Sequence, residues 1–340
     1  MTIAIDGISS LLGQAIAAQL QQSELSSHEL IAILHGDVAD LADTDLPDRS
    51  EEFSCREQFF EHINFAELDI VFIADLHVDS EKTLATAVAS GAMVIDCVGL
   101  SANHGDVPLI AFAINSQLLQ GLMPGFVIAT PSPGATMLCQ VVAPLREVYG
   151  DLEKINVCHF LPASHFGKAG VELLAGQTAR LLNGMPLNKK QSPAQVAFNL
   201  IPQCGALNDS GYCEWEVTLK EQTRRLLDDP VLQVNVTCIQ VPVFYAQCQT
   251  IELTFTTAVD PQQAEQRLKQ VDGIRVAALK QSTPAVVQAQ TDHSDIVVSR
   301  VRQNPGEERS LTYWCVSDNL RVGAAGNAVQ IADLLIKSYL

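Results

Sequence analysis

Apolar and polar positions along the first 130 residues alternate between short buried runs and stretches with helical spacing. Residues 2–5, 30–34, 69–74 and 92–98 read as strands, with helices predicted over 12–21 and 80–90. A strand–helix alternation of this kind predicts a doubly wound, mostly parallel sheet. One more strand is predicted over 126–130. The run Thr130-Pro131-Ser132-Pro133-Gly134 then punctuates the entry to an apolar helix ending near Tyr149. A domain boundary is expected there, the first domain taking residues 1–130 and 318–340 and the second 131–317.

Beyond this point the texture changes. Longer strands are predicted over 155–160, 194–202, 233–243, 250–257 and 311–316, with helices over 171–182 and 214–227. Residues 234–241 alternate apolar and polar, as in an antiparallel sheet with one covered face. The second domain therefore reads as α+β. The last 20 residues form a helix whose Ala, Val and Ile spacing suits packing back onto the first domain.

Composition narrows the function classes. At 340 residues the chain is long enough for two domains, and no apolar run reaches the roughly 18 residues of a membrane span. The first residues lack a basic segment and cleavage site, so a cytoplasmic address is expected. With 21 Lys+Arg against 39 Asp+Glu, the formal charge of −18 repels phosphate backbones and anionic lipid, arguing against nucleic-acid and membrane partners. Nine cysteines without a C-x-x-C pair predict small core residues rather than a disulfide framework or zinc site.

Two segments stand where chemistry is expected. Gly7-Ile8-Ser9-Ser10-Leu11-Leu12-Gly13 lies between the first strand and first helix, the place of a dinucleotide phosphate loop. Gly7 permits the turn and Gly13 close helix packing, whereas Ser10 replaces the middle glycine that lets backbone approach a pyrophosphate. A plain turn capped by Ser9 or Ser10 explains the same residues. In the second segment Ser132 is a natural N-cap and Pro133 a natural first helical residue. A nucleophilic Ser132 would need a base, and His159 and His165 are the histidines early in the following domain. Neither has a carboxylate or thiolate at ligand spacing, so no metal is expected there.

Several motifs together resemble the aspartate-semialdehyde dehydrogenase family, and more narrowly its usg-type paralogues. They are Gly176-Gln177-Thr178-Ala179-Arg180-Leu181-Leu182-Asn183-Gly184, Ala197-Phe198-Asn199-Leu200-Ile201-Pro202-Gln203, Val241-Pro242-Val243, Val316-Ser317-Asp318-Asn319-Leu320-Arg321 and Asn327-Ala328-Val329-Gln330-Ile331-Ala332. The resemblance implies a Rossmann-type NAD(P)-binding domain completed by the C-terminal helix, an α+β domain supplying a homodimer interface, and amino-acid biosynthesis from aspartate through a cysteine thioester with NADPH.

The resemblance also locates positions where this chain departs from the family's machinery. The family's N-P-N-C-S places Pro133 at the nucleophilic cysteine, and R-V-P-V-x-x-G-H-S-E places Gln240, Gln247 and Gln249 at the carboxylate-binding arginine, the base histidine and the glutamate. Glutamine neither transfers a proton near neutral pH nor forms a bidentate charge pair. The phosphate-side arginine falls at Ala102, the glutamine after S-T-Y at Leu161, and the next loop reads Ser164-His165-Phe166-Gly167. The motif holding the NADP ribose phosphate becomes Leu34-His35-Gly36-Asp37, where an aspartate repels a 2′-phosphate. Gly7, Ser9, Ser10, Gly13 and Gln330 remain as cofactor-binding candidates, for NAD or NADP bound weakly or not at all. The expected role is a dimeric binding or regulatory pseudoenzyme. The alternative is an active dehydrogenase with a displaced nucleophile, Cys139 or Cys248.

Overall fold

A computed structural model describes residues 1–36, 54–121, 125–187, 194–277 and 295–339. Asp37, expected near a 2′-phosphate, lies outside these residues. Two compact units divide the chain, one of Met1–Pro131 with Ala324–Leu340, the other of Ser132–Gly323.

The first unit holds a parallel sheet of β1 (Thr2–Asp6), β2 (Glu29–Leu34), β3 (Arg56–Phe59), β4 (Ile70–Ile73), β5 (Met93–Asp96) and β6 (Val127–Ala129), in the order β3-β2-β1-β4-β5-β6. All five pairings are parallel. This is the doubly wound Rossmann-type arrangement, with β1 between β2 and β4 at the point where the strand order reverses. Strands so placed are covered on both faces, which is why β1 and β4 read as nearly continuous apolar runs. Helix α1 (Leu11–Gln22) and the last helix, α7 (Asn327–Tyr339), cover one face: Ile16, Ala17 and Leu20 share a buried cluster with Ile3, Ile5, Phe72, Ala328, Ile331 and Leu335. Phe60, Phe65 and Ala87, the last in α2 (Ser80–Ala89), pack with Val71, Ile73 and Val94 on the other. Asn327 ties the start of α7 to this unit, accepting from the Phe112 amide at 2.6 Å and donating to the Ile110 carbonyl at 2.9 Å.

The second unit is α+β. Its sheet has the order β10-β11-β12-β9-β7-β8, from β7 (Leu152–Leu161), β8 (Gln233–Gln240), β9 (Gln247–Phe255), β10 (Ile274–Val276), β11 (Ile296–Arg302) and β12 (Ser310–Ser317). Helices α3 (Pro133–Tyr149), α4 (Gly167–Leu182), α5 (Glu214–Leu226) and α6 (Pro261–Leu268) belong to the same unit. Glu216 joins α5 to β8, its carboxylate accepting from the Cys213 amide at 2.9 Å and the Cys238 amide at 3.0 Å.

Three expectations are corrected here. The alternation over 234–241 does mark one covered face, but β8 runs parallel to β7 at the sheet edge. Alternation reports burial, not strand direction. Residues 194–202 form a turn rather than a strand, with one antiparallel bridge, Ile201 to Gln240. Phe198 has a φ of 60° there, and the Asn199 amide donates back to the Val196 carbonyl at 3.2 Å. The buried Gln177 holds the turn, its Oε1 accepting from Val196 at 2.7 Å and Ala197 at 3.1 Å. Finally, the expected C-terminal helix begins as a wide π-helical turn, Arg321–Gly326, before α7.

At Gly13 a Cβ would fall inside contact distance of the Gly7 carbonyl oxygen and of Ile8 Cα, both backbone atoms. Gly13→Ala is expected to destabilise the protein by about 1–3 kcal/mol, read as a lower urea midpoint with an unchanged slope.

Candidate functional site

The Gly7–Gly13 loop sits where β1 enters α1. Gly7 has a φ of +85°, and a Cβ on it would overlap Asp75. Ser10, rather than Ser9, is the N-cap: its Oγ accepts from the Gly13 amide at 2.9 Å and donates to the Ala74 carbonyl at 2.9 Å. Both glycines and Ser10 are thus accounted for by packing and capping. Ser9 is exposed, as is Gln330 on α7.

Asp6, immediately before Gly7, is fully buried, and Asp75 packs against Gly7. The backbone course is that of a nucleotide fold. The end of β5 is also self-contained. Asp96 accepts from the amides of Val98 (3.0 Å), Gly99 (2.9 Å) and Ser101 (2.7 Å) and from the Ser101 hydroxyl (2.6 Å). Ala102 is buried beside this loop.

The second cluster surrounds the N-terminus of α3, all within the second unit. Ser132 is the N-cap, accepting from the Ala135 amide at 3.3 Å, and Pro133 is the first helical residue. The Ser132 amide donates to Gln222 Oε1 at 2.8 Å. From β9, Gln247 Nε2 donates to the Pro133 carbonyl at 2.9 Å and to Ser317 Oγ at 3.3 Å. Gln249 Nε2 donates to the Gly134 carbonyl at 3.0 Å. On β7, His159 donates through Nε2 to Gln247 Oε1 at 3.0 Å, because the Gln247 amide nitrogen is already committed as a donor. A Cβ at Gly134 would run into the His159 ring. Gln247, Gln249 and His159 are all buried.

This network holds a helix end by neutral amides and one imidazole. Burial pulls the His159 pKa down to about 4, the Gln247 hydrogen bond offsetting it only partly. His165 is lowered to about 3 by burial and by His159. Gln240, at the end of β8, exchanges two backbone hydrogen bonds with Ile201, at 2.9 and 3.1 Å. Leu161 is buried, and the Ser164 hydroxyl donates to Asn319 Oδ1 at 3.1 Å. Burial also raises both alternative thiols to about 12, Cys139 inside α3 and Cys248 on β9. Gln222 on Ser132 and His159 on Gln247 were not anticipated from sequence: each pair is brought together by packing across 90 and 88 residues.

Residues 142–322 match the model of the semialdehyde dehydrogenase dimerisation domain. Aspartate-semialdehyde dehydrogenase 2 of Vibrio cholerae is 31% identical over 340 residues, covering 99% of this chain and 98% of that protein. A USG-1 protein homologue of Pseudomonas aeruginosa is 30% identical, covering 100% and 99%. The structure of a probable aspartate-semialdehyde dehydrogenase from Pseudomonas aeruginosa superposes with a TM-score of 0.89 at 30% identity, covering 100% of this chain and 99% of that one. The fold and these matches define a two-domain protein of the semialdehyde dehydrogenase type. The chain belongs to the aspartate-semialdehyde dehydrogenase family, which includes the USG-1 homologues.

The buried His159 sets a pH dependence. Its native pKa of about 4 lies below the ordinary 6.5, so between these values the unfolded chain takes up a proton that the native state excludes. The stabilisation is complete above pH 6.5 and is lost as pH falls toward 4, amounting to about 3 kcal/mol for this shift. His159→Gln is expected to flatten the dependence of urea stability on pH between 6.5 and 4, compared with the unmodified protein over the same range.

Proposed function

We propose that the chain is a dimeric, non-catalytic member of its family with a binding or regulatory role. The observation that carries this reading is the Gln247 amide on the Pro133 carbonyl at 2.9 Å. The two positions that resemble the family's base and nucleophile are spent on holding one another. Thioester chemistry needs a thiolate at the helix N-terminus and a group that transfers its proton. Proline supplies no nucleophilic atom, and a glutamine amide does not titrate in the working range. Ser132 supports the same reading, since its hydroxyl caps α3 and its amide is held by Gln222. The displaced thiols oppose the alternative: at a pKa of about 12, Cys139 and Cys248 carry almost no thiolate near neutral pH.

Weak or absent NAD(P) binding follows from the same electrostatics, with Asp6 and Asp75 at the loop where a pyrophosphate would lie. The dimer is supported by the match to a dimerisation domain and by apolar side chains exposed in that unit, Phe198 at 63% and Leu200 at 61%.

Three outcomes are expected. Light scattering at micromolar concentration gives a dimer mass; a monomer removes the assembly from the proposal. In calorimetry NADP binds no better than NAD, and both weakly; micromolar NADP affinity would favour a dinucleotide-dependent role. Steady-state assays at high enzyme concentration show no phosphate-dependent oxidation of aspartate semialdehyde, for either the unmodified protein or Pro133→Cys. Loss of an acid–base group alone lowers rates by about 10²- to 10⁴-fold, and Gln247, Gln240 and Ala102 stay unrepaired in that variant. Turnover abolished by Cys139→Ser would overturn the proposal and identify the thiol responsible.

A further inference from the structure

At the C-terminal edge of the parallel sheet, beside the glycine loop, three side chains from separate segments converge. Asp6 ends β1, His35 follows β2 and His77 follows β4. Both histidines place Nε2 2.9 Å from the same oxygen, Asp6 Oδ1. The three ligand-capable atoms lie within 4.8 Å of one another, and the two rings are 4.6 Å apart. Asp6 is fully buried, whereas the His35 and His77 side chains are 16% and 27% exposed, leaving the cluster open on its imidazole side.

The second carboxylate oxygen is the independent observation. Asp6 Oδ2 is buried and has no hydrogen-bond partner among the described residues. A buried carboxylate with one oxygen shared by two imidazoles and the other bare is poorly compensated, and buried charges are normally paired or bound to a metal. We infer that Asp6, His35 and His77 form a binding site for a divalent transition-metal ion, with zinc the chemically matched class. Two imidazoles and one carboxylate form a donor set suited to such ions, with a further position left for solvent.

The outer surroundings favour this assignment for His35. Its Nε2 donates to Asp6 Oδ1, since a carboxylate oxygen only accepts, and its Nδ1 lies 3.8 Å from Asp79 Oδ2, a carboxylate placed to receive a proton on Nδ1 once an ion takes Nε2. His35 is further fixed by stacking on Phe60, ring centroids 5.5 Å apart. His77 Nδ1 accepts from the Asp79 amide at 3.3 Å, which places its proton on Nε2, toward Asp6. Ion binding through Nε2 therefore moves the proton of each ring to Nδ1 through solvent and, at His77, sacrifices that long hydrogen bond. In exchange, the Asp6 charge gains a cation. The ligand atoms must also separate by a few tenths of an ångström, since donors about 2.0–2.1 Å from a tetrahedral ion stand farther apart than hydrogen-bonded atoms. The partly exposed histidines can take up this change.

The test uses the full-length, metal-stripped protein titrated with zinc by calorimetry and with cobalt(II) by visible spectroscopy. One ion per chain is expected, with cobalt d–d bands and no thiolate charge-transfer band, separating this site from the nine cysteines. His35→Gln and His77→Gln are each expected to weaken zinc binding at least about tenfold. Both variants retain the buried Asp6, and their melting temperatures in chelator check that they fold. No stoichiometric binding, a thiolate band, or unchanged affinity in both variants would overturn the inference.

Discussion

The N-terminus of α3 is anchored by one buried glutamine of strand β9. Gln247 spans from the Pro133 carbonyl to His159, joining the first turn of α3 to strands β9 and β7 through one side chain. Gln249, two residues on, holds the next carbonyl at Gly134. The amide does both halves of this task, donating to a carbonyl and accepting from an imidazole N–H without carrying charge into the core. Burial keeps His159 neutral and removes the imidazole as a base at ordinary pH, the Gln247 hydrogen bond offsetting this only partly. The close packing of Gly134 on His159 completes the arrangement, because no other residue leaves room for the ring.

Close packing also governs the glycine loop of the first unit. The glycines of the β1–α1 loop allow Gly13 to meet the Gly7 carbonyl and Gly7 to meet Asp75, while Ser10 closes the cap. A fold with this strand order ordinarily leaves the loop's amides facing an anionic ligand. Here a buried acid precedes the loop, and the neighbouring strand ends supply histidines that turn toward it. The local charge is thus arranged around the protein's own carboxylate.

Much of this was legible along the chain because it depends on near neighbours. The period of apolar residues located most strands of the parallel sheet, and Ser132 followed by Pro133 specified a helix start that the structure bears out. The motif containing Gln177 was legible, but not its purpose, which is to hold the turn at 196–197 by two hydrogen bonds. The strand expected over 194–202 failed because apolar content there serves a turn with a positive φ at Phe198. The direction of β8 failed because alternation is identical in parallel and antiparallel edge strands. The Asp6, His35 and His77 cluster stayed hidden for a topological reason: positions 29 and 71 residues apart meet only when β1 lies between β2 and β4.

That topology also determines which charge the sheet edge favours. In a doubly wound sheet the carboxyl ends of the central strands converge on one crevice, so residues just past β1, β2 and β4 share a single electrostatic environment. A chain with a formal charge of −18 already disfavours anionic ligands at long range, and the buried Asp6 adds a negative charge at the centre of the crevice. The two imidazoles hydrogen-bond that carboxylate at Oδ1 alone, and Oδ2 has no partner among the described residues. A metal ion held by all three residues would supply the cation that a buried carboxylate otherwise lacks at this crevice.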